Sequence, residues 1–268
     1  NWSVIKGSQA QLIDVLNLLD SSIDVNNNND SNQISYQNNI SINRVSFKHK
    51  GDESYIIKNI SLIIKKGMSL GIVGATGSGK STLLDLLMCL IEPTNGTISI
   101  DGKNLTEGTK KSWQRRIAHV PQDIFLIDAT IMENIAFGMP MGKIDIDMVK
   151  KAASCAEIDL YIESTPLKYN TIVGEAGIKL SGGQKQRIGI ARALYKRADV
   201  LFLDEATSAL DNQTEKEVIK SLESSNDNLT LVMIAHRIST LQHCDNIVKL
   251  DMGSIVFIGS YKDYINNQ

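Results

Sequence analysis

The stretch Gly74-Ala75-Thr76-Gly77-Ser78-Gly79-Lys80-Ser81-Thr82 fits G-x-x-x-x-G-K-[ST], the phosphate-binding loop called Walker A. The apolar run 69–73 leads into it and leucines at helical spacing follow, so we predict a strand, this loop and then a helix. Glycines let the backbone turn its N–H groups inward, and the helix N-terminus adds its dipole, so together they can hold anionic oxygens. We predict that Lys80 neutralises β- and γ-phosphates and that the Ser81 hydroxyl ligates Mg²⁺.

Composition limits the classes of protein to which this chain can belong. Its 268 residues are 42% hydrophobic and 22% charged, which suffices for one large α/β domain with appendages. The formal net charge is −2, and the runs of basic residues, such as Lys65-Lys66, Lys110-Lys111 and Arg115-Arg116, are short pairs, so we expect no nucleic-acid partner. Cys89, Cys155 and Cys244 are far apart and form no metal-binding or disulfide spacing, which favours a reducing compartment.

The hydrophobic pattern of residues 38–268 predicts an α/β fold. Apolar runs predict closely spaced strands at 40–47, 56–57 and 60–64, strands buried on both faces at 200–203 and 229–235, and a closing hairpin at 247–250 and 255–258. Residues from about 126 to 195 are predicted to be mostly helical. We therefore predict a P-loop NTPase core with a mostly parallel sheet, an N-terminal antiparallel β subdomain and a helical subdomain.

Acidic residues end one of the buried strands. The stretch Val200-Leu201-Phe202-Leu203-Asp204-Glu205 has the Walker B pattern of an apolar strand followed by carboxylates. Ligands of open α/β sheets bind at the carboxyl ends of strands. We predict that Asp204 holds Mg²⁺ and that Glu205 orients and deprotonates the attacking water.

A second anion site is predicted at Leu180-Ser181-Gly182-Gly183-Gln184, where a serine and two glycines begin a helix. This stretch resembles the signature motif of ATP-binding cassette (ABC) proteins. Further motifs resemble that family in its order: Val120-Pro121-Gln122 its Q-loop, Ser208-Ala209-Leu210-Asp211 its D-loop, and Ile234-Ala235-His236-Arg237 its H-loop. The resemblance covers roughly residues 38–268, and it identifies this part of the chain as an ABC nucleotide-binding domain.

The resemblance implies a head-to-tail dimer with a second nucleotide-binding domain, either identical or different. Each ATP, with Mg²⁺, would lie on residues 74–82 of one subunit and be closed by Ser181, Gly183 and Gln184 of the other. His236 would contact the γ-phosphate, and Gln122 would contact Mg²⁺ or the lytic water. The family places an aromatic residue on the adenine ring. Here His49 occupies that place in Phe47-Lys48-His49, and Tyr55 is an alternative.

Two further features resemble ABC exporters. Thr171-Ile172-Val173-Gly174-Glu175-Ala176-Gly177 is similar to the exporter X-loop TxVGERG, with Ala176 in place of arginine. Residues 1–20 resemble the helix that ends the last transmembrane region, and 21–37 read as a polar linker. The chain begins at Asn1, and we expect a transmembrane domain before it. The stretches 77–88 and 125–131 also resemble flippases of lipid-linked oligosaccharides. The exporter resemblance implies a location at the cytoplasmic face of a membrane, such as the bacterial inner membrane.

These resemblances predict an ATPase that powers export or flipping across a membrane. One alternative is a soluble ABC ATPase that acts on nucleic acid or ribosomes, which would need a second cassette, a coiled-coil insertion or a basic arm. Another is a regulatory cassette that binds ATP without efficient hydrolysis, which predicts loss of Glu205 or of a signature glycine. In this sequence Glu205 and both signature glycines are present.

Overall fold

The computed structural model describes residues 33–207, 209–225, 228–235 and 237–267. Its strands are β1 (Asn39–Phe47), β2 (Ile57–Lys65), β3 (Ser69–Val73), β4 (Asn95–Ile100), β5 (Lys103–Asn104), β6 (Ile117–Val120), β7 (Val200–Asp204), β8 (Thr230–Ile234), β9 (Asn246–Asp251) and β10 (Ser254–Gly259). Its α-helices are α1 (Lys80–Leu87), α2 (Glu107–Arg116), α3 (Ile131–Ile135), α4 (Ile146–Cys155), α5 (Asp159–Ser164), α6 (Gly182–Tyr195), α7 (Asn212–Ser225), α8 (Ile238–Leu241) and α9 (Tyr261–Asn266).

A small antiparallel sheet has the strand order β2-β1-β4-β5. The sequence predicted two short strands at 56–57 and 60–64, but the structure has the single strand β2. Irregular pairing with β1 accounts for the broken pattern, because the register shifts between Val45 and Phe47. Beyond the shift, Ile60, Leu62 and Ile64 alternate with exposed residues, as expected for a strand with one buried face.

The larger sheet has six strands in the order β10-β9-β3-β8-β7-β6. All its neighbouring pairs are parallel except the antiparallel hairpin of β9 and β10. This arrangement confirms the predicted mostly parallel sheet and closing hairpin. Its parallel strands all end at one edge, where the loops that carry the predicted chemistry begin.

Successive residues of the parallel strands enter two different core clusters. On β7, Val200 and Phe202 face one cluster, and Leu201 and Leu203 face the other. The first cluster contains the buried leucines of α1 and the antiparallel sheet, and the second contains apolar residues of α6. Helices α1 and α6 therefore pack on opposite faces of the sheet. Each fully buried leucine of α1 contributes about 1.5–3 kcal/mol, which fixes this helix behind the Walker A loop.

Helix α2 was not predicted, because most of its residues are polar and they form no apolar stripe. Trp113 alone among its large side chains is buried, and its indole N–H donates to the Leu87 carbonyl at 2.8 Å. Between Leu126 and Tyr195 the chain forms helices α3 to α6 and three 3-10 turns, Met141–Lys143, Lys168–Asn170 and Glu175–Gly177. The division into domains at these boundaries stays a prediction.

The predicted helix at 1–20 and most of the predicted linker lie outside the described residues. The last residues assigned to that linker are packed against the domain. Ile34 and Tyr36 are buried, and the Tyr36 hydroxyl lies 2.7 Å from Thr230 Oγ1. Within the part of the chain that the structure describes, no helix has the length and hydropathy needed to cross a membrane.

Candidate nucleotide-binding site

Three of the predicted site segments begin at the carboxyl ends of strands of the parallel sheet. Gly74 follows β3, Asp204 ends β7, and Gln122 comes two residues after β6. The strand registers pair Val120 with Leu203 and Asp204 with Ile234, so these strand ends meet at one edge. His236 was also predicted here, but it lies outside the described residues, as does Ser208 of the D-loop-like stretch.

The Walker A loop has the curled backbone that its glycines allow. Gly77 and Gly79 have φ values of 79° and 100°, and Gly79 caps α1 in the left-handed conformation. A Cβ on Gly74 would lie 2.3 Å from the Leu250 carbonyl oxygen, so only glycine fits there. Ala75, Thr76 and Gly77 are exposed at the loop tip. Ser81 and Thr82 lie in the first turn of α1, where backbone N–H groups lack intrahelical partners and can bind anions.

Two buried polar groups inside the loop suit a phosphate ligand. The Lys80 ammonium is only 7% exposed and donates to the carbonyls of Gly74 and Ala75, each at 3.0 Å. The Ser78 hydroxyl is buried and has no hydrogen-bond partner among the described residues. Buried polar groups without partners are uncommon in proteins. A bound polyphosphate would give both groups anionic oxygens, so this loop fits the nucleotide that the sequence predicted.

Ser81 and Asp204 lie together beside the loop. The Ser81 hydroxyl donates a hydrogen bond to the Asp204 carboxylate. Loss of hydration raises the pKa of Asp204, against the opposing effects of His119 and of this hydrogen bond. A divalent cation would favour the ionised carboxylate instead. The described residues contain no cluster of three or more His, Cys, Asp or Glu side chains. Mg²⁺ does not need one, because it commonly keeps several waters and binds one or two protein oxygens and phosphates.

Glu205 and Gln122 flank the Ser81–Asp204 pair. Glu205 is half-buried and has φ 52°, a left-handed conformation that is unfavourable for a side chain other than glycine. Such strain costs about 1–3 kcal/mol and is concentrated at functional sites. Gln122 is exposed in the bend after β6. Glu205 and Gln122 therefore come directly after β7 and shortly after β6, two neighbouring strands that end at the same edge of the sheet.

The second predicted anion site is the N-terminus of α6. Ser181 Oγ accepts from the Gln184 N–H at 3.3 Å, and Gln184 Oε1 accepts from the Ser181 N–H at 2.8 Å. This reciprocal capping box fixes the helix start. Ser181 and Gly182 are exposed, so an external anion can reach them. Gln184 is thus engaged in capping within this chain.

The signature segment packs against the D-loop-like stretch of its own chain. A Cβ on Gly183 would lie 3.2 Å from the Ala209 carbonyl oxygen, and Gln186 Oε1 accepts from the Ala209 N–H at 3.0 Å. Because α6 and α1 lie on opposite faces of the sheet, the two predicted anion sites, at the Walker A loop and at this N-terminus, are separate places in the fold.

Glu215 on α7 belongs to a polar network that the sequence analysis missed. Its carboxylate accepts from Thr207 Oγ1 at 2.6 Å and Thr240 Oγ1 at 2.7 Å, and pairs with the Arg237 guanidinium at 2.9 Å. Thr207 follows Glu205 by two residues, and Arg237 is adjacent to His236. A signal was present, because Glu215 falls on the apolar face of α7 with Val218, Ile219 and Leu222.

The two candidates for adenine stacking lie between β1 and β2. His49 is exposed, and its ring stands edge-on to Phe47 with centroids 5.1 Å apart. Tyr55 is half-buried, its hydroxyl accepts from Asn95 Nδ2 at 3.1 Å, and Lys48 lies over its ring. This loop runs beside the Walker A loop at its end, where a Cβ on Gly79 would meet the Ile56 carbonyl oxygen at 3.2 Å. Assignment of the stacking residue stays a prediction.

Comparison with known proteins gives consistent matches. The family model described as "ABC transporter" matches residues 57–208. A Staphylococcus aureus ATP-binding/permease protein named for multidrug export is 40% identical over 255 residues, covering 95% of this chain and 44% of that protein. Heavy metal tolerance factor 1 of Caenorhabditis elegans is 44% identical over 229 residues, covering 85% of this chain and 28% of the relative.

A solved structure agrees over nearly the whole chain. The ATP-bound structure of a bacterial Atm1-family ABC exporter superposes with a TM-score of 0.87 at 34% identity, covering 99% of this chain and 46% of that one. The chain therefore spans less than half the length of these relatives.

Proposed function

The chain belongs to the ABC transporter family, and on that premise we propose that it binds and hydrolyses ATP to power export or flipping across a membrane. The observation that carries the proposal is that α1, which follows the Walker A loop, and α6, which begins at the signature motif, lie on opposite faces of one sheet. The two predicted anion sites of one chain would therefore not close on the same nucleotide while both helices keep their packing on the sheet. Two chains placed head to tail can do so, because the Walker A loop of each then faces Ser181 of the other.

Each described site residue has a role in this proposal. Lys80 leaves the carbonyls of Gly74 and Ala75 and neutralises the β- and γ-phosphates. Ser81 and Asp204 would hold Mg²⁺, which when bound spreads the charge that develops on the transferred phosphoryl group. Glu205 accepts a proton from the attacking water. Most of the rate enhancement would come from positioning and charge stabilisation.

The remaining predicted residues complete the site in the proposal. Gln122 would orient the lytic water or bind Mg²⁺, His236 would contact the γ-phosphate, and Ser181 and Gly183 of the partner would cover that phosphate. Gln184 would keep the partner's Ser181 in place through the capping box.

The transport part of the proposal rests on the relatives. Proteins named for multidrug export and an Atm1-family exporter match this chain over less than half of their own lengths. We propose that a transmembrane domain supplies the substrate path and that this chain works at the cytoplasmic face of that membrane. Glu175, exposed in the turn that resembles the exporter X-loop, is the side chain proposed to face it. The exporter relatives do not favour the alternative of a soluble ATPase acting on nucleic acid.

The shared site can be tested by trapping the dimer. In a Glu205→Gln chain, ATP should produce a stable dimer, because closure is no longer followed by hydrolysis. Adding Ser181→Arg should abolish that dimer and leave nucleotide affinity of the monomer unchanged. Ser154→Arg, an exposed serine on α4, is the matched control. Light scattering with and without ATP measures the result, and a dimer that survives Ser181→Arg would refute the shared site.

Mixing two inactive variants gives an independent test. Lys80→Ala damages the Walker A loop, and Ser181→Arg damages the signature. A mixed dimer keeps one site built only from intact halves. Random pairing of equal amounts makes half of the dimers mixed, so about one quarter of wild-type ATPase activity should return if the sites act independently. Full activity of Ser181→Arg alone would contradict the proposal.

A further inference from the structure

A cavity of about 360 Å³ lies between α4, α6 and the parallel sheet. Helix α4 lines it with Met148, Lys151, Ala152 and Cys155, whose spacing places them on one helix face. Its floor includes Ala118 and Leu201, the second residues of β6 and β7. The cavity therefore lies toward the N-terminal ends of these strands, away from the edge that carries the Walker A loop.

Small side chains leave this space unfilled. Ala118, Ala152 and Ala193 come from three different elements and all line the cavity. Larger residues at these positions would close it, as in an ordinary close-packed core. The cavity reaches solvent, since Cys155 is half-buried and Lys151 is exposed. Its volume falls within the range of about 300–1,000 Å³ of small-molecule sites, and its wall is mostly apolar as in such sites.

The polar groups at the cavity are positively charged. Lys151 and Arg197 line it, and no aspartate or glutamate does. Within the described residues neither cation pairs with a carboxylate. The Arg197 guanidinium instead donates to the sulfur of Met148, and a thioether is a weak acceptor. An exposed guanidinium held at an apolar wall by so weak a partner is suited to an anion.

A neighbouring groove extends this positive surface. It has a volume of about 610 Å³ and shares Ala118, Met148, Ala193 and Arg197 with the cavity. Its other charged lining residues are three cations and one carboxylate: Lys143, Arg192, Lys196 and Asp145. The excess of cations is local, because the whole chain has a formal charge of −2.

We propose that the cavity binds a small organic anion with an apolar body, such as a medium-chain carboxylate. The apolar part would lie against the alanines and Leu201. The anionic group would lie between Lys151 and Arg197. A cationic ligand would be repelled by both side chains, and a neutral apolar ligand would gain nothing from them.

Cys155 serves as a reporter of this environment. Iodoacetate and iodoacetamide both react with its thiolate, form an S–CH₂ bond and release iodide, but only iodoacetate is an anion. The ratio of their rates therefore measures the local field and is independent of how reactive the thiol is. Mass spectrometry of the digested chain separates Cys155 from Cys89 and Cys244, which are both 6% exposed.

Charge-removing variants give the expected fold-changes. A cation on the order of 7 Å away in a water-like dielectric should raise the iodoacetate rate about threefold. Arg197→Gln and Lys151→Gln should each lower the iodoacetate/iodoacetamide ratio about threefold at low salt. Lys150→Gln is the matched control, because Lys150 is exposed on the same helix and does not line the cavity. It should lower the ratio less than twofold.

Decanoate tests occupancy directly. Decanoate below its micellar concentration should slow iodoacetamide labelling of Cys155 saturably, and Arg197→Gln or a cavity-filling Ala152→Leu should weaken that protection at least threefold. Decanol and decyltrimethylammonium should protect less. The proposal would be overturned if the iodoacetate/iodoacetamide ratio did not change in Arg197→Gln and Lys151→Gln. It would also be overturned if decanoate, decanol and decyltrimethylammonium protected Cys155 equally. Failure of either reagent to label Cys155 in the folded chain would overturn it too.

Discussion

Replacing Glu215 should test whether its network fixes the loops around the catalytic edge. The carboxylate is 3% exposed and joins three segments through Thr207, Arg237 and Thr240. These segments follow β7 and β8, the strands that end beside Glu205 and His236. Because one side chain holds them all, its removal should cost both stability and turnover.

The structure limits the size of the effect. Removing one member of a buried ion pair costs about 3–5 kcal/mol, because the other charge is left without its partner. Arg237 also donates to the Leu210 carbonyl and Asn212 Oδ1, and its side chain is 36% exposed, so the lower end applies. Glu215→Ala should therefore lower the free energy of unfolding by about 3 kcal/mol, a drop in Tm of roughly 6–12 °C for a domain of this size.

Two further variants separate charge from hydrogen bonding. Glu215→Gln keeps an acceptor for both threonine hydroxyls and should lose only about 1–2 kcal/mol. Glu217→Ala removes an exposed carboxylate of the same helix that, among the described residues, accepts from Gln213 alone, and should change stability by less than about 0.5 kcal/mol. Urea unfolding followed by circular dichroism measures all three variants. Equal losses for Glu215→Ala and Glu217→Ala would refute the reasoning.

Three other predictions concern single residues. Glu205→Gln should keep ATP affinity and lower the ATPase rate at least ~10²-fold, the usual scale for a general base, and near-normal turnover in a coupled assay would reject that role. His49→Ala should weaken ATP binding about tenfold and His49→Tyr should restore it, whereas loss only in Tyr55→Ala, measured with a fluorescent nucleotide, would assign stacking to Tyr55. Burial raises the pKa of Tyr36 from 10.0 to about 12, so its contribution to stability is complete below pH 10 and is lost between pH 10 and 12. In urea unfolding, the Tyr36→Phe variant should therefore lose less free energy of unfolding over that pH interval than the wild type. Equal losses would show that Tyr36 does not cause this pH dependence.

The sequence predicted the elements whose signals are local. Continuous apolar runs marked β7 and β8, because a strand covered on both faces needs no polar alternation. The Walker A pattern predicted the turn between β3 and α1, because the positive φ angles of this turn require glycine. The acidic pair after Leu203 marked the catalytic edge. In each case a few consecutive residues are enough to determine the local structure, without reference to distant partners.

Features that depend on distant partners could not be predicted in this way. Helix α2 buries Trp113 through a bond to the Leu87 carbonyl, and a single buried tryptophan has no periodicity. Tyr36 looked like linker because its partner, Thr230, is far along the chain. The Glu215 network joins α7 to the segments that follow β7 and β8, and this pairing appears only after the sheet has formed.

The same long-range contacts link hydrolysis to the dimer surface in this chain. The segment from Glu205 to Asp211 begins with the proposed base and packs against the signature through Ala209. Its Thr207 is tied to Glu215, and through it to Arg237 beside the proposed γ-phosphate sensor. In the proposed dimer, a movement of Ser181 caused by the partner's nucleotide would reach Ala209 through this packing, and Ala209 lies four residues from Glu205. In the proposed dimer, these contacts would connect closure at one shared site to hydrolysis at the other.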